Sequence, residues 1–183
     1  MSNNLLSKFG LELNVGVVGA SGGLGQAFVE QFASQLHVAK IHAFSRTQIK
    51  FENEKVESHQ IDIQSEHSIQ EALDAIGDTI LFDIVVVATG FLHDEHVSPE
   101  KTIRDVNMDY FREVFSVNTY GPALLAKYFL PRLQRDRKSV FACLSARVGS
   151  ISDNRLGGWY AYRASKAALN MILKNAAIEM ARR

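Results

Sequence analysis

Short apolar runs alternate along this chain with stretches whose apolar residues recur at helical spacing. "NVGVVGA" (14–20) is rich in valine and ends in glycines, the pattern of a buried strand entering a tight turn. "LGQAFVEQFAS" follows with Leu24, Ala27, Phe28 and Phe32 at helical spacing. "KIHAFS" (40–45) and "VESHQIDI" (56–63) read as the second and third strands. "SEHSIQEALDAIG" reads as a helix with Ser65 as N-cap, Ser68 three residues on and Gly77 at its end. "DIVVVATG" (83–90) is a fully apolar fourth strand, and a helical stretch runs from about Asp109 to Arg135. "SVFACLS" (139–145) makes a fifth strand, and a last helix is expected from Ala161 onward.

Five strands, each followed by a crossover, imply a parallel sheet with helices on both faces. The expected fold is therefore α/β, a doubly wound parallel sheet of Rossmann type, in a single domain over residues 1–183. The sequence shows no internal repeat, low-complexity tract or linker. One long polar excursion, "FLHDEHVSPEKTIRDVN" (91–107), follows the fourth strand. In open α/β sheets such loops lie over the carboxyl ends of the strands, where ligands bind.

Composition narrows the function classes. Hydrophobic residues are 46% and charged residues 22%, with 20 lysines and arginines against 20 aspartates and glutamates. A balanced charge argues against a general nucleic-acid or membrane-surface binder. No run approaches the roughly 20 apolar residues of a membrane span, and the start does not read as a signal peptide. Cys143 is the single cysteine, which points to a reducing compartment and a core thiol. A soluble cytoplasmic protein is expected.

Two stretches carry candidate chemistry. "GASGGLG" puts Gly19, Gly23 and Gly25 between a strand and a helix, where backbone can approach a ligand and free N–H groups can meet a phosphate. The Gly-Lys-Ser/Thr of a triphosphatase loop is absent. The same residues fit G-x-S-x-G, the nucleophile elbow of esterases, but it follows the first strand and no histidine stands in a late loop. The second stretch is "WYAYRASKAALN" (159–170). Tyr162 and Lys166 are four apart and stack on one helix face, whereas Tyr160 and Lys166 are six apart and do not. "HDEH" (93–96) invites a metal reading, but its loop context beside Pro99 favours a solvated rim.

With G-x-x-x-G-x-G on the first turn and Y-x-x-x-K on a late helix, the chain resembles the short-chain dehydrogenase/reductase family, over essentially its whole length. The stretch from Ser145 to Asn170 resembles the C-factor-type and sniffer-type carbonyl reductase branch. The resemblance implies a catalytic set of Asn118, Ser145, Tyr162 and Lys166. It implies cofactor contacts from Gly19, Ser21, Gly23, Leu24, Gly25, Arg46, Asp62, Ile63, Thr89 and Gly90, with Tyr162 and Lys166 completing the set. Val87 and Ala88 stand where the family usually has asparagines, and Tyr162 lies seventeen positions after Ser145, a few more than usual.

In the implied mechanism Tyr162 supplies a proton to a carbonyl oxygen, and the Lys166 ammonium lowers its pKa and holds the nicotinamide ribose. Ser145 holds the substrate oxygen, and Asn118 links Lys166 to solvent through water. An acidic residue after the second strand would select NAD; Ser45 and Arg46 stand there instead, so NADP is expected and NAD is the lesser choice. The partners implied are a small carbonyl or alcohol substrate and a second copy through the last two long helices, with no nucleic acid and no membrane. The chain stops at Arg183 in helical pattern, where members of the family continue with further strands. The last strands are therefore expected to be missing, with weak binding of the adenine half of NADP and little or no carbonyl reduction by these 183 residues. The other function class implied is a catalytically silent nucleotide-binding or C-factor-like signalling protein.

Overall fold

The computed structural model describes residues 6–182, which divide into two compact units. The first comprises Met1–Thr89 and Lys127–Cys143, the second Gly90–Ala126 and Leu144–Arg183.

The first unit holds one five-stranded parallel sheet in the order β3-β2-β1-β4-β5, the order of a Rossmann-type fold. Its strands are β1 (Leu13–Val18), β2 (Val38–Ser45), β3 (Val56–Gln60), β4 (Ile84–Val87) and β5 (Val140–Cys143). The register pairs Val15 of β1 with Ile41 on one side and Ile84 on the other. Both neighbours of β1 are apolar because a central parallel strand is buried on its two faces. Helix α1 (Gly23–Ala33) lays Phe28, Val29 and Phe32 against the face built by Leu13, Val15, Val17, Ile41 and Ala43. Phe44, Phe82 and Phe129 fill the opposite side with ring centroids 5.4–5.5 Å apart. Helix α2 (Glu66–Ile76) starts where expected, with Ser65 Oγ accepting the Ser68 N–H at 3.3 Å, and stops at Gly77, whose φ is +95°.

The third strand ends three residues earlier than its apolar pattern suggests. Asp62 turns the chain there, its carboxylate accepting the Gln64 N–H and its carbonyl the Ser65 N–H, each at 3.0 Å. Cys143 is half-buried in β5, less enclosed than a core thiol.

A buried ion pair fixes the start of β4. Asp83 is fully buried; its Oδ1 forms an ion pair with Arg137 Nε at 2.6 Å, and its Oδ2 accepts from Arg137 Nη2 at 3.0 Å and from the Asn14 N–H at 2.9 Å. Arg137→Ala should therefore destabilise the protein by about 3 kcal/mol, because a buried carboxylate loses its countercharge. Urea unfolding of the variant checks this; an unchanged midpoint would mean that water solvates Asp83 well enough alone.

The second unit is helical. Helix α3 (Met108–Phe115) is capped by Asn107, whose side chain accepts the Tyr110 N–H at 2.9 Å. A π-helical turn, Ser116–Tyr120, then leads into α4 (Gly121–Phe129). The helical stretch expected to reach Arg135 closes within the first unit, in a 3-10 turn at Leu130–Arg132, where Pro131 lacks the N–H to continue it. Among the described residues helix α5 (Tyr160–Met180) is the longest element, and no helix there is long and apolar enough to cross a membrane.

Candidate active site

In the first unit the chain leaves β1 through Gly19, whose φ is +89°. The Gly19 and Ala20 N–H groups both donate to the Phe44 carbonyl, at 2.8 and 3.0 Å, which pins the turn beside β2. Gly22 then caps α1 without a side chain, so the first-turn amides are left to an outside acceptor. The glycines differ in what they are for. A Cβ on Gly25 would stand 2.1 Å from the Gly19 carbonyl oxygen, whereas one on Gly23 would meet nothing within 4 Å. Gly25 is required by the turn itself; Gly23 leaves open space above the helix start. Ser21 and Leu24 are exposed on the same turn. Thr89 closes the floor, its methyl 3.0 Å from where a Gly19 Cβ would be. Its buried Oγ1 has no hydrogen-bond partner among the described residues. An uncapped helix start, open space over a glycine and an orphaned hydroxyl together fit the phosphate end of a dinucleotide.

Arg46 and Asp62, far apart in sequence, line one open cleft of about 410 Å³ with Gln60, Ile61, Ser68 and Glu71. The Ser45 hydroxyl donates to the Thr47 carbonyl at 2.7 Å, shaping the turn from which the exposed Arg46 extends. The Asp62 N–H donates to Ser68 Oγ at 2.9 Å, tying the turn after β3 to α2, and Ile63 is buried behind it.

In the second unit, Gly157, Gly158 and Trp159 take three successive left-handed conformations, with φ of +65°, +64° and +53°. Glu100 closes this entry: its carbonyl accepts the Trp159 N–H at 2.6 Å, and its buried carboxylate accepts the Ala161 N–H at 3.1 Å. An acidic side chain at a helix start satisfies an otherwise unpaired amide and suits the helix dipole. Nothing local in the sequence marks Glu100, which stands sixty-one residues from its partner. The cap sets the phase of α5 and hence of Tyr162, which packs against the cluster of Tyr110, Val114 and Ala161. Trp159 meets the Tyr162 ring edge-on at 6.3 Å.

Lys166 lies on the same helix face, buried, with its ammonium 5.9 Å from the Tyr162 ring centre. Its Nζ donates to the Leu144 carbonyl at 2.9 Å. Burial pushes the Tyr162 phenol above its ordinary value, whereas the sequence suggested a lowering by Lys166. Desolvation prevails with the ammonium held on Leu144. Tyr110, also nearby, is pushed up to about 12 by burial, and its hydroxyl donates to the Leu92 carbonyl at 2.6 Å.

Asn118 sits fully buried in the π turn. Its Oδ1 accepts the Phe91 N–H at 2.8 Å and its Nδ2 donates to the Phe91 carbonyl at 2.7 Å and to Ser165 Oγ at 3.2 Å. Ser165 in turn donates to the Tyr162 carbonyl at 2.8 Å. A Cβ on Gly90 would lie 3.7 Å from Asn118 Oδ1 and 3.8 Å from Lys166 Nζ, so these three groups are brought together. Ser145 is placed differently: it is exposed, and its hydroxyl donates to Asn170 Oδ1, one turn beyond Lys166, at 2.7 Å. In the HDEH loop, Asp94 accepts the His96 and Val97 N–H groups at 2.8 and 2.9 Å.

Comparison with known proteins bears on the family and the fold. The chain is 28% identical over 165 residues to a benzil reductase of Bacillus subtilis, covering 89% of this chain and 65% of that protein. It is 36% identical over 76 residues to the C-signal protein of Myxococcus xanthus, covering 42% of this chain and 46% of that one. It thus spans less than two thirds of the length of either relative. Its fold matches Sniffer of Caenorhabditis elegans, described as a candidate carbonyl reductase, with a TM-score of 0.81 at 23% identity over 93% of this chain and 80% of that one. The family model for short chain dehydrogenases matches residues 14–183, and the chain belongs to that oxidoreductase family.

Proposed function

We propose that the protein reduces a small carbonyl substrate with NADPH, using Tyr162 as the proton donor. The observation that carries this reading is the pairing of a half-buried Tyr162 with a buried Lys166 one helical turn away. A phenol raised by burial stays protonated at neutral pH, which suits giving a proton to a carbonyl oxygen more than taking one from an alcohol. The ammonium then steadies the phenolate left behind. NADPH, when bound, supplies the hydride. Ser145 would exchange Asn170 for the substrate oxygen and hold it. Asn118, through Phe91 and Ser165, would keep the π turn and α5 in register.

The first-turn amides and Thr89 would take the pyrophosphate, Asp62 the adenine amine, and Arg46 the 2′-phosphate, where a forked, permanently charged donor is well suited. NADPH should accordingly bind about tenfold or more tightly than NADH, and Arg46→Ala should erase most of that difference. Fluorescence titration with both cofactors, followed by NADPH oxidation with aldehydes, ketones and diketones, tests the reading; equal affinities for the two cofactors would refute the role of Arg46. The match to C-signal favours a second reading, a nucleotide-binding signalling protein. In a full-length protein carrying this region, tight NADPH binding without turnover of any carbonyl would select it.

A further inference from the structure

In the first unit, and using none of the residues placed above in cofactor binding or proton transfer, two imidazoles meet across neighbouring strands. His42 lies on β2 and is 4% exposed; His59 lies on the outer strand β3 with its side chain 10% exposed. His42 Nδ1 stands 3.0 Å from His59 Nε2. Glu57, opposite His42 in the β2–β3 register, turns Oε1 toward His59 Nε2 at 4.0 Å. Its other oxygen is held by Lys40 Nζ at 2.9 Å, which fixes the carboxylate with one oxygen to spare. The three donor atoms lie within 4.8 Å of one another, and no other such group of histidine, cysteine or acidic residues occurs among the described residues.

We propose that His42, Glu57 and His59 form a binding site for a divalent transition-metal ion, Zn²⁺ being the best fit. Two imidazole nitrogens and one carboxylate oxygen are a zinc donor set, and three protein ligands leave a fourth position for water. Donors around a tetrahedral zinc stand about 3.3 Å apart, given bond lengths of about 2.0–2.1 Å. The observed 3.0 and 4.0 Å bracket that spacing, so a small turn of the His59 ring and of Glu57 would seat the ion. Burial favours the ligand form of both rings. It lowers His42 to about 4, with His59 reinforcing the shift, and burial lowers His59 as well. Both are thus neutral at pH 7, the state that coordinates metal. The single proton shared between Nδ1 and Nε2 would move to the far nitrogen of its own ring, so neither imidazole gains or loses charge. Access is from the β3 side, where the Glu57 side chain is 50% exposed. The Lys40 charge beside the site would temper the affinity. Such an ion would link β3 to β2, and the expected role is to brace the outer strand of the sheet.

The test uses the chain freed of metal by chelator and titrated with Zn²⁺ by calorimetry, with the melting temperature followed in parallel. One ion per chain and a rise of several degrees are expected. His59→Asn and the half-exposed Glu57→Gln should each weaken binding tenfold or more. His67→Ala and the pair His93→Ala/His96→Ala should leave it unchanged. Absence of a Zn²⁺-dependent rise, affinity that survives His59→Asn and Glu57→Gln, or affinity that follows His67, His93 or His96 would overturn the proposal.

Discussion

In a full-length protein carrying this region, Tyr162→Phe is expected to lower carbonyl reduction by a factor of 10² to 10⁴, the range for losing a positioned proton donor. The ring keeps its packing against Tyr110, Val114 and Ala161, so the melting temperature and NADPH affinity should stay near wild type. Tyr160→Phe should retain most activity, since position 160 opens α5 and lies six residues before Lys166. Steady-state NADPH oxidation, read beside circular dichroism, separates the two. A lethal Tyr160 change with a tolerated Tyr162 change would mean that the reacting face of α5 is turned from the one described.

Gly25→Ala is expected to cost at least about 3 kcal/mol and to abolish NADPH binding. The added methyl would sit 2.1 Å from the Gly19 carbonyl oxygen and 2.9 Å from the Ala20 Cα. Both obstacles are backbone, so neither can swing aside, and overpacking against backbone lies at the severe end of single substitutions. Gly23→Ala is the informative contrast. Its methyl meets nothing in the chain and replaces glycine in a helix first turn, so stability should hold or rise slightly. NADPH affinity should nevertheless fall, because the open space is where a pyrophosphate would approach. Urea melts and cofactor titrations on both variants give the answer; undiminished affinity in Gly23→Ala would place the phosphates elsewhere.

The elements whose cause is local were legible in the sequence. Valine runs gave β1 and β4, the Ser65 cap and Gly77 stop gave α2, and four-residue spacing put Tyr162 and Lys166 on one face. Features that need two distant segments to meet were not. Glu100 caps α5 from sixty-one residues away, and the His42–His59 contact depends on the β2–β3 register. The upward shift of Tyr162 likewise required knowing how deeply α5 is packed and that Lys166 donates to Leu144. The overlong third strand and α4 have a nearer cause. Apolar periodicity continues past both true ends, and a side-chain turn at Asp62 and the missing N–H of Pro131 end the elements anyway.

The Glu100 clamp also bears on how this region can vary. Because the first amides of α5 are held by a residue from another loop, the segment just before it touches the helix entry only through Asn154, which accepts the Gly157 N–H at 3.0 Å. That segment, from Ile151 to Leu156, holds these two apolar side chains 85% and 92% exposed. It can lengthen, shorten or change composition while the tyrosine keeps its heading, since loop length adds little closure cost. The interval between Ser145 and Tyr162 is then a place where the chain is free to change its length without turning the Tyr162 face of α5.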